Sequence, residues 1–289
     1  MFKTQTVETA DLPTILAYVP RERARSLVRS AFPKRKWRVI ATHDAAEFSA
    51  ALRKILIDAA LVDIGSPIAI AGLAASTSDG ATTSVEGGDD TWRIAALAQE
   101  FPSAPFFAIT PLRATDAPAV ARCAALEFCD VIVDGIDDHV ARDIVGPQTF
   151  SARFYAALVD PPQVLRIESP MQIKTWRAIL ASAGRPVRTS SLAKAAGVSR
   201  EHLSRNFSVP GSPNLKRVID LVRMIGAAEL AKNPGLDIRD VAKILGFASS
   251  SHLAVTAQRL LGTRPASLSR LRTVDLIDRF MQGRTRSRG

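Results

Sequence analysis

Cysteine is nearly absent from the chain. Cys123 and Cys129 are its two thiols in 289 residues, and no CxxC pair or cysteine–histidine cluster accompanies them. A disulfide framework and a thiolate metal site are both excluded, leaving two small thiols suited to a reducing compartment. Long apolar runs are missing too: none approaches the roughly 18 residues of a transmembrane helix. The opening MFKTQTVETADLP brings acids early and lacks an apolar core, so it does not read as a secretory signal. The expected location is the cytoplasm, with no membrane partner. The chain has no GxSxG elbow, no GxxxxGK[ST] and no GxGxxG. His43 and His139 have no nucleophile pointing to them, and the reading is of a chain that is not an enzyme, with no cofactor and no metal.

The charge is unevenly placed. Residues 1–150 carry 15 Lys/Arg against 19 Asp/Glu, a net of −4, whereas residues 151–289 carry 23 against 9, a net of +14. A strongly basic half beside a mildly acidic one assigns polyanion binding to the C-terminal half.

The first half alternates short, nearly continuous apolar runs at 14–19, 37–42, 59–64, 105–110 and 130–135 with segments of helical periodicity. Such βα alternation, with strands apolar on both faces, predicts a doubly wound five-stranded parallel sheet covered by helices. The segment 71–90, rich in Gly, Ser, Thr and Asp, reads as a loop. After the fifth strand, 148–159 is amphipathic, with Phe150, Phe154, Ala157 and Leu158 on one face. It is expected to complete the first domain or to serve a dimer contact. Pro161-Pro162 ends it.

The order and spacing of these elements resemble a response-regulator receiver domain of the flavodoxin-like class. The resemblance implies phosphoacceptor chemistry at Asp63, which ends the third strand with Pro67 four residues on, and a hydroxyl partner at Thr110. The family's acidic pair is replaced by Tyr18-Val19-Pro20 and its lysine by Asp134. Without that lysine, charge developing on a transferred phosphoryl group lacks its stabiliser. The expectation is a degenerate receiver that is not phosphorylated by the usual route.

The second half opens with a helix start at Ser169-Pro170, a Ser cap followed by Pro at the first helical position. Two stretches then read as helix, turn, helix: Leu192 to Phe207 and Asp237 to Gly262. Gly197 permits the first turn and Ser199 caps the helix behind it. Gly246-Phe247 and Ser249 repeat the arrangement. Between the motifs, 214–233 is one long helical pattern with a core-facing stripe, closed by Pro234-Gly235. A helix-turn-helix lays its second helix in the DNA major groove, and two of them can read successive grooves.

The string Ile238, Val241-Ala242, Leu245-Gly246-Phe247, Ser249, Ser251-His252-Leu253, Gly262 and Pro265, with Leu203 and Leu253 fifty residues apart, resembles the AraC/XylS family of transcription regulators. The likeness covers about 170–273 and implies a DNA-reading module with two recognition helices. Carried over by position, Glu201, Ser204 and Arg205 are base-reading candidates in the first motif, with Arg200 beside them. In the second they are Ser250, Ser251, Ala254 and Val255. Ala254-Val255 stands where a Ser-Arg pair is common, so the second motif lacks a charged base reader, and Arg259 is expected to contact phosphate. Arg can pair with guanine O6 and N7, Glu can accept from cytosine, and Ala or Val can touch only a thymine methyl. His202 and His252 read as supporting residues rather than metal ligands.

The expected organisation is a receiver-like α/β domain at 1–161, a linker at 162–169, the double helix-turn-helix domain at 170–273 and a solvated basic tail at 274–289. Double-stranded DNA is the expected partner; RNA polymerase and a second copy of the chain, through the N-terminal domain, are further candidates. Two other readings stay open: a response regulator phosphorylated at Asp63, and an α/β enzyme fused to a DNA-targeting module.

Overall fold

The computed structural model describes residues 12–67, 69–70, 90–208 and 211–283. The expected loop at 71–90, apart from Asp90, and the last residues of the expected tail lie outside them. The chain forms two compact units, Met1–Phe150 and Ser151–Gly289. No helix of the described residues is long and apolar enough to cross a membrane.

The first unit is a five-stranded parallel sheet of β1 (Thr14–Tyr18), β2 (Arg38–Ala41), β3 (Ala59–Asp63), β4 (Phe106–Thr110) and β5 (Asp130–Val133). Its order is β2-β1-β3-β4-β5, the flavodoxin-like doubly wound arrangement. Parallel neighbours need long crossovers, and helices supply them. They are α1 (Glu22–Ala31), α2 (Ala45–Lys54), α3 (Thr91–Glu100), α4 (Ala117–Ala125) and α5 (Asp138–Val145).

The three central strands are buried throughout, because helices cover both faces. Ile15, Ala17, Leu61, Phe107 and Ile109 pack with Leu27, Val28 and Phe32 of the α1 segment and with Ala141 and Val145 of α5. The edge strands β2 and β5 are more exposed. In such sheets ligands bind outside the carboxyl ends of the strands. Asp63, Thr110 and Asp134 all lie at that end.

The second unit is helical. It holds α6 (Phe150–Leu158, whose first residue belongs to the first unit), α7 (Pro170–Leu180), α8 (Thr189–Ala196), α9 (Arg200–Asn206), α10 (Leu215–Leu230), α11 (Ile238–Ile244), α12 (Ser250–Leu261) and α13 (Thr273–Gln282). The α6 helix, expected to close the first domain, is thus mostly a member of the second. The Trp176 indole Nε1 donates to the Leu158 carbonyl at 2.8 Å. Ser169 and Gln172 form the expected capping box at the start of α7.

The largest departure from expectation lies at the C-terminus. Residues 273–282, taken as the start of a solvated extension, form an amphipathic helix whose Leu276, Ile277 and Phe280 are buried. The Arg217 guanidinium lies 4.8 Å from the centre of the Phe280 ring. The run Leu276-Ile277 and Phe280 recurs at spacings of three and four, and that apolar stripe outweighs the basic residues around it. We expect Phe280→Ala to cost about 3–5 kcal/mol, as for a fully buried aromatic side chain, measured by chemical denaturation. A solvated tail would make the change neutral.

Candidate nucleic-acid interface

Each helix-turn-helix is built from local signals. In the first, α8 ends at Gly197, whose φ of 75° lets the chain reverse. The Ser199 hydroxyl then accepts from the His202 amide at 3.1 Å, satisfying an orphan donor of α9. The second repeats the plan: Gly246 has φ of 61°, and Ser249 accepts from the His252 amide, also at 3.1 Å.

Both recognition helices are anchored by one face. Leu203 and Phe207 are fully buried in the first motif. Leu253, Thr256, Ala257, Leu260 and Leu261 are buried in the second. The opposite faces are free. Arg200, Glu201, Ser204 and Arg205 are exposed, and no ion pair holds Arg200, Glu201 or Arg205 among the described residues. On α12, Ser251 is exposed, Ser250 and Ala254 are half-buried, and Val255 is 65% exposed. An apolar side chain that far into solvent on a recognition helix suits contact with another surface.

Arg259 behaves differently from the other cations. Its guanidinium donates to Asp220 of α10 at 3.0 Å, so it ties the recognition helix to the connecting helix and offers less free charge. A second arginine, not singled out by sequence reasoning, holds the same motif. Arg223 of α10 lies 4.0 Å from the centre of the Phe247 ring and donates to the Leu245 carbonyl at 3.0 Å. Burial holds its guanidinium below its ordinary range, partly countered by Asp220. Phe247 also meets the His252 ring edge-on at 5.6 Å. An arginine facing an aromatic turn residue across two helices leaves no local sequence pattern, and so passes unnoticed.

Residues 192–270 match the model of a helix-turn-helix domain family. This part of the chain is an AraC-type helix-turn-helix domain. No curated protein matches the chain. Among solved structures, full-length FixJ from B. japonicum is similar at 14% identity, with a TM-score of 0.32, over 85% of this chain and 96% of that one. The receiver-like assignment of the first unit stands on its strand order. The AraC-type domain belongs to DNA-binding transcription regulation, and the two kinds of domain are those of non-enzymatic regulators.

At the carboxyl end of the sheet, the side chains meet in an arrangement that the sequence did not disclose. Arg21, directly after β1, donates from Nε to both oxygens of Asp63 at 2.8 and 2.9 Å. Its amide reaches Asp63 Oδ2 at 3.2 Å, and its Nη1 pairs with Asp134 Oδ2 at 2.5 Å. Both carboxylates are buried, with side-chain exposures of 0% and 1%. Burial pushes the Asp63 carboxyl above the ordinary carboxylate range, and the Arg21 hydrogen bonds and charge draw it back in part. For Arg21 burial works against the charge, but Asp63 and Asp134 outweigh it and hold the guanidinium above its usual range. Thr110 is engaged as well: its hydroxyl donates to Asp116 at 2.8 Å and accepts from the Leu112 amide at 3.1 Å.

Removing the cation should expose this balance. We expect Arg21→Ala to cost about 3–5 kcal/mol near neutral pH, the usual loss when one partner leaves a buried ion pair. Without the guanidinium the Asp63 pKa rises further. A carboxyl raised by folding is penalised only above its unfolded pKa, and fully so above its folded one. The deficit should therefore shrink as the pH falls through the raised Asp63 pKa, which urea titrations across acidic pH would follow.

Proposed function

We propose that the chain is a sequence-specific DNA-binding transcription regulator of the cytoplasm. In this reading α9 and α12 enter adjacent major grooves of one duplex, and the receiver-like domain regulates them without being phosphorylated. The observation that carries it is the pair of serine-capped helices, each buried along one side and open along the other, on the half of the chain with net charge +14. The connecting helix α10 has 16 residues, about 24 Å at 1.5 Å per residue. With the turns at its ends it can separate two probes by about 34 Å, one turn of DNA.

Within the reading the two motifs do unequal work. Arg200, Glu201, Ser204 and Arg205 can address base edges through donors and acceptors that distinguish bases. Ser250, Ser251, Ala254 and Val255 offer hydroxyls and apolar contacts, which suit thymine methyls and phosphates. Arg259 serves α12 by holding it to Asp220 and contributes to the field over the phosphates. RNA polymerase and a second copy of the chain are partners this reading admits.

Selection from a random DNA pool with the full chain tests it. The expected outcome is two short boxes about one helical turn apart; a single box or no enrichment would contradict it. Arg205→Ala should cost about 1–3 kcal/mol and relax preference under the first motif, whereas Val255→Ala should change binding little. Quantitative binding to the selected duplex and to single-base variants measures both.

The absence of phosphotransfer rests on Asp63 being buried and paired with Arg21 and on Thr110 being held by Asp116. Incubation with a small phosphodonor and Mg²⁺ should give no acid-labile phosphate. Stoichiometric modification of Asp63 would establish the two-component alternative instead.

A further inference from the structure

The carboxyl end of the sheet gathers two buried carboxylates from different strand ends, Asp63 and Asp134, around one guanidinium. We propose that Asp63 and Asp134 form a cation site whose resident occupant is the chain's own Arg21, and that this site takes a divalent cation once Arg21 is withdrawn. The inference rests on reading the domain as unphosphorylated.

Three features carry it. First, Arg21 spans the two acids, with Nε and Nη2 on Asp63 and Nη1 on Asp134, Nη2 standing 2.6 Å from Asp63 Oδ1. Two buried carboxylates side by side would repel, and a cation between them removes that cost. Second, one acceptor is left over. Asp134 Oδ1 is buried and receives no hydrogen bond among the described residues, and the nearest charge is Arg23 Nε at 4.0 Å. A fixed guanidinium fork cannot direct donors to every oxygen of two carboxylates, whereas a small ion with its waters can. Third, space is kept for the guanidinium. A Cβ at Gly65 would lie 2.9 Å from Arg21 Nη2 and would run into the Pro111 ring. The Gly65 amide also donates to Asp63 Oδ1 at 3.1 Å, which fixes that carboxylate toward the site.

The donor chemistry fits a hard cation. Ions such as Mg²⁺ and Mn²⁺ prefer oxygen, and Mg²⁺ is commonly held by one or two carboxylates while keeping several waters. Asp63 and Asp134 supply that number. In the wild-type chain the occupant is covalently tethered, so its local concentration exceeds what free divalent ions reach, and the site is closed to them. The domain is then insensitive to divalent cations, and a signal must reach it by another route.

The test is Mn²⁺ binding to the full chain, followed by electron paramagnetic resonance. Wild type should show no saturable uptake at this site at millimolar metal. Arg21→Ala should bind Mn²⁺ at least about tenfold more tightly, the ion replacing a lost buried partner, and Arg21→Ala/Asp63→Asn should lose the gain. Arg21→Met keeps the apolar stem packed and serves if the alanine variant does not fold. A folded Arg21 variant that binds Mn²⁺ no better than wild type would overturn the proposal. So would an Mg²⁺-induced rise in wild-type melting temperature that Asp63→Asn removes, a measurement that needs no Arg21 variant. Phosphorylation of wild-type Asp63 would instead sink the unphosphorylated reading, so the two failures are distinct.

Discussion

The burial of α10 is the constraint on which the second unit depends. Leu215, Val218, Leu221, Val222, Met224, Ile225, Ala227 and Ala228 are all inside, and the helix packs against α7, α11, α12 and α13. The α7 helix in turn packs against α8 of the first motif. Both helix-turn-helix motifs therefore take their positions from one rod. Apolar contacts alone would hold the rod without specifying how the second motif sits on it. Arg223 beneath Phe247 and Asp220 on Arg259 add directional contacts at the turn and at the recognition helix. Directional polar contacts over an apolar base fix one pose among several of similar burial.

Much of this was legible in the sequence because the signals are local. Five strands with both faces buried leave runs of Val, Ile, Leu, Phe and Ala, and β1 to β5 form where those runs lie. Gly197, Gly246, Ser199 and Ser249 mark their turns and caps through their own backbone and hydroxyl chemistry. What escaped depends on residues far apart. Arg21 meets Asp63 and Asp134 across 42 and 113 positions, and in the sequence it reads as one of several arginines opening α1. Residues 273–282 were masked by their basic neighbours, although the stripe of Leu276, Ile277 and Phe280 was present.

The two units show two uses of arginine. In the AraC-type domain, Arg200 and Arg205 stand in water without partners among the described residues, where a strongly hydrated charge costs nothing to keep and stays available to a polyanion. In the receiver-like domain, Arg21 is spent internally, balancing carboxylates that could not both stay ionised in a buried site without it. An acidic cluster that ordinarily needs an outside cation has one in the chain, and the sheet's carboxyl end becomes part of the fold.

The central claim is that one stiff helix sets the distance between two DNA probes. It is tested most directly by binding the full chain to a duplex carrying both boxes, then to one with about five base pairs, half a helical turn, inserted between them. The account predicts that affinity falls to that of a single-box duplex, because α10 can neither stretch nor rotate the second probe around the DNA. Equal affinity for both duplexes would contradict it.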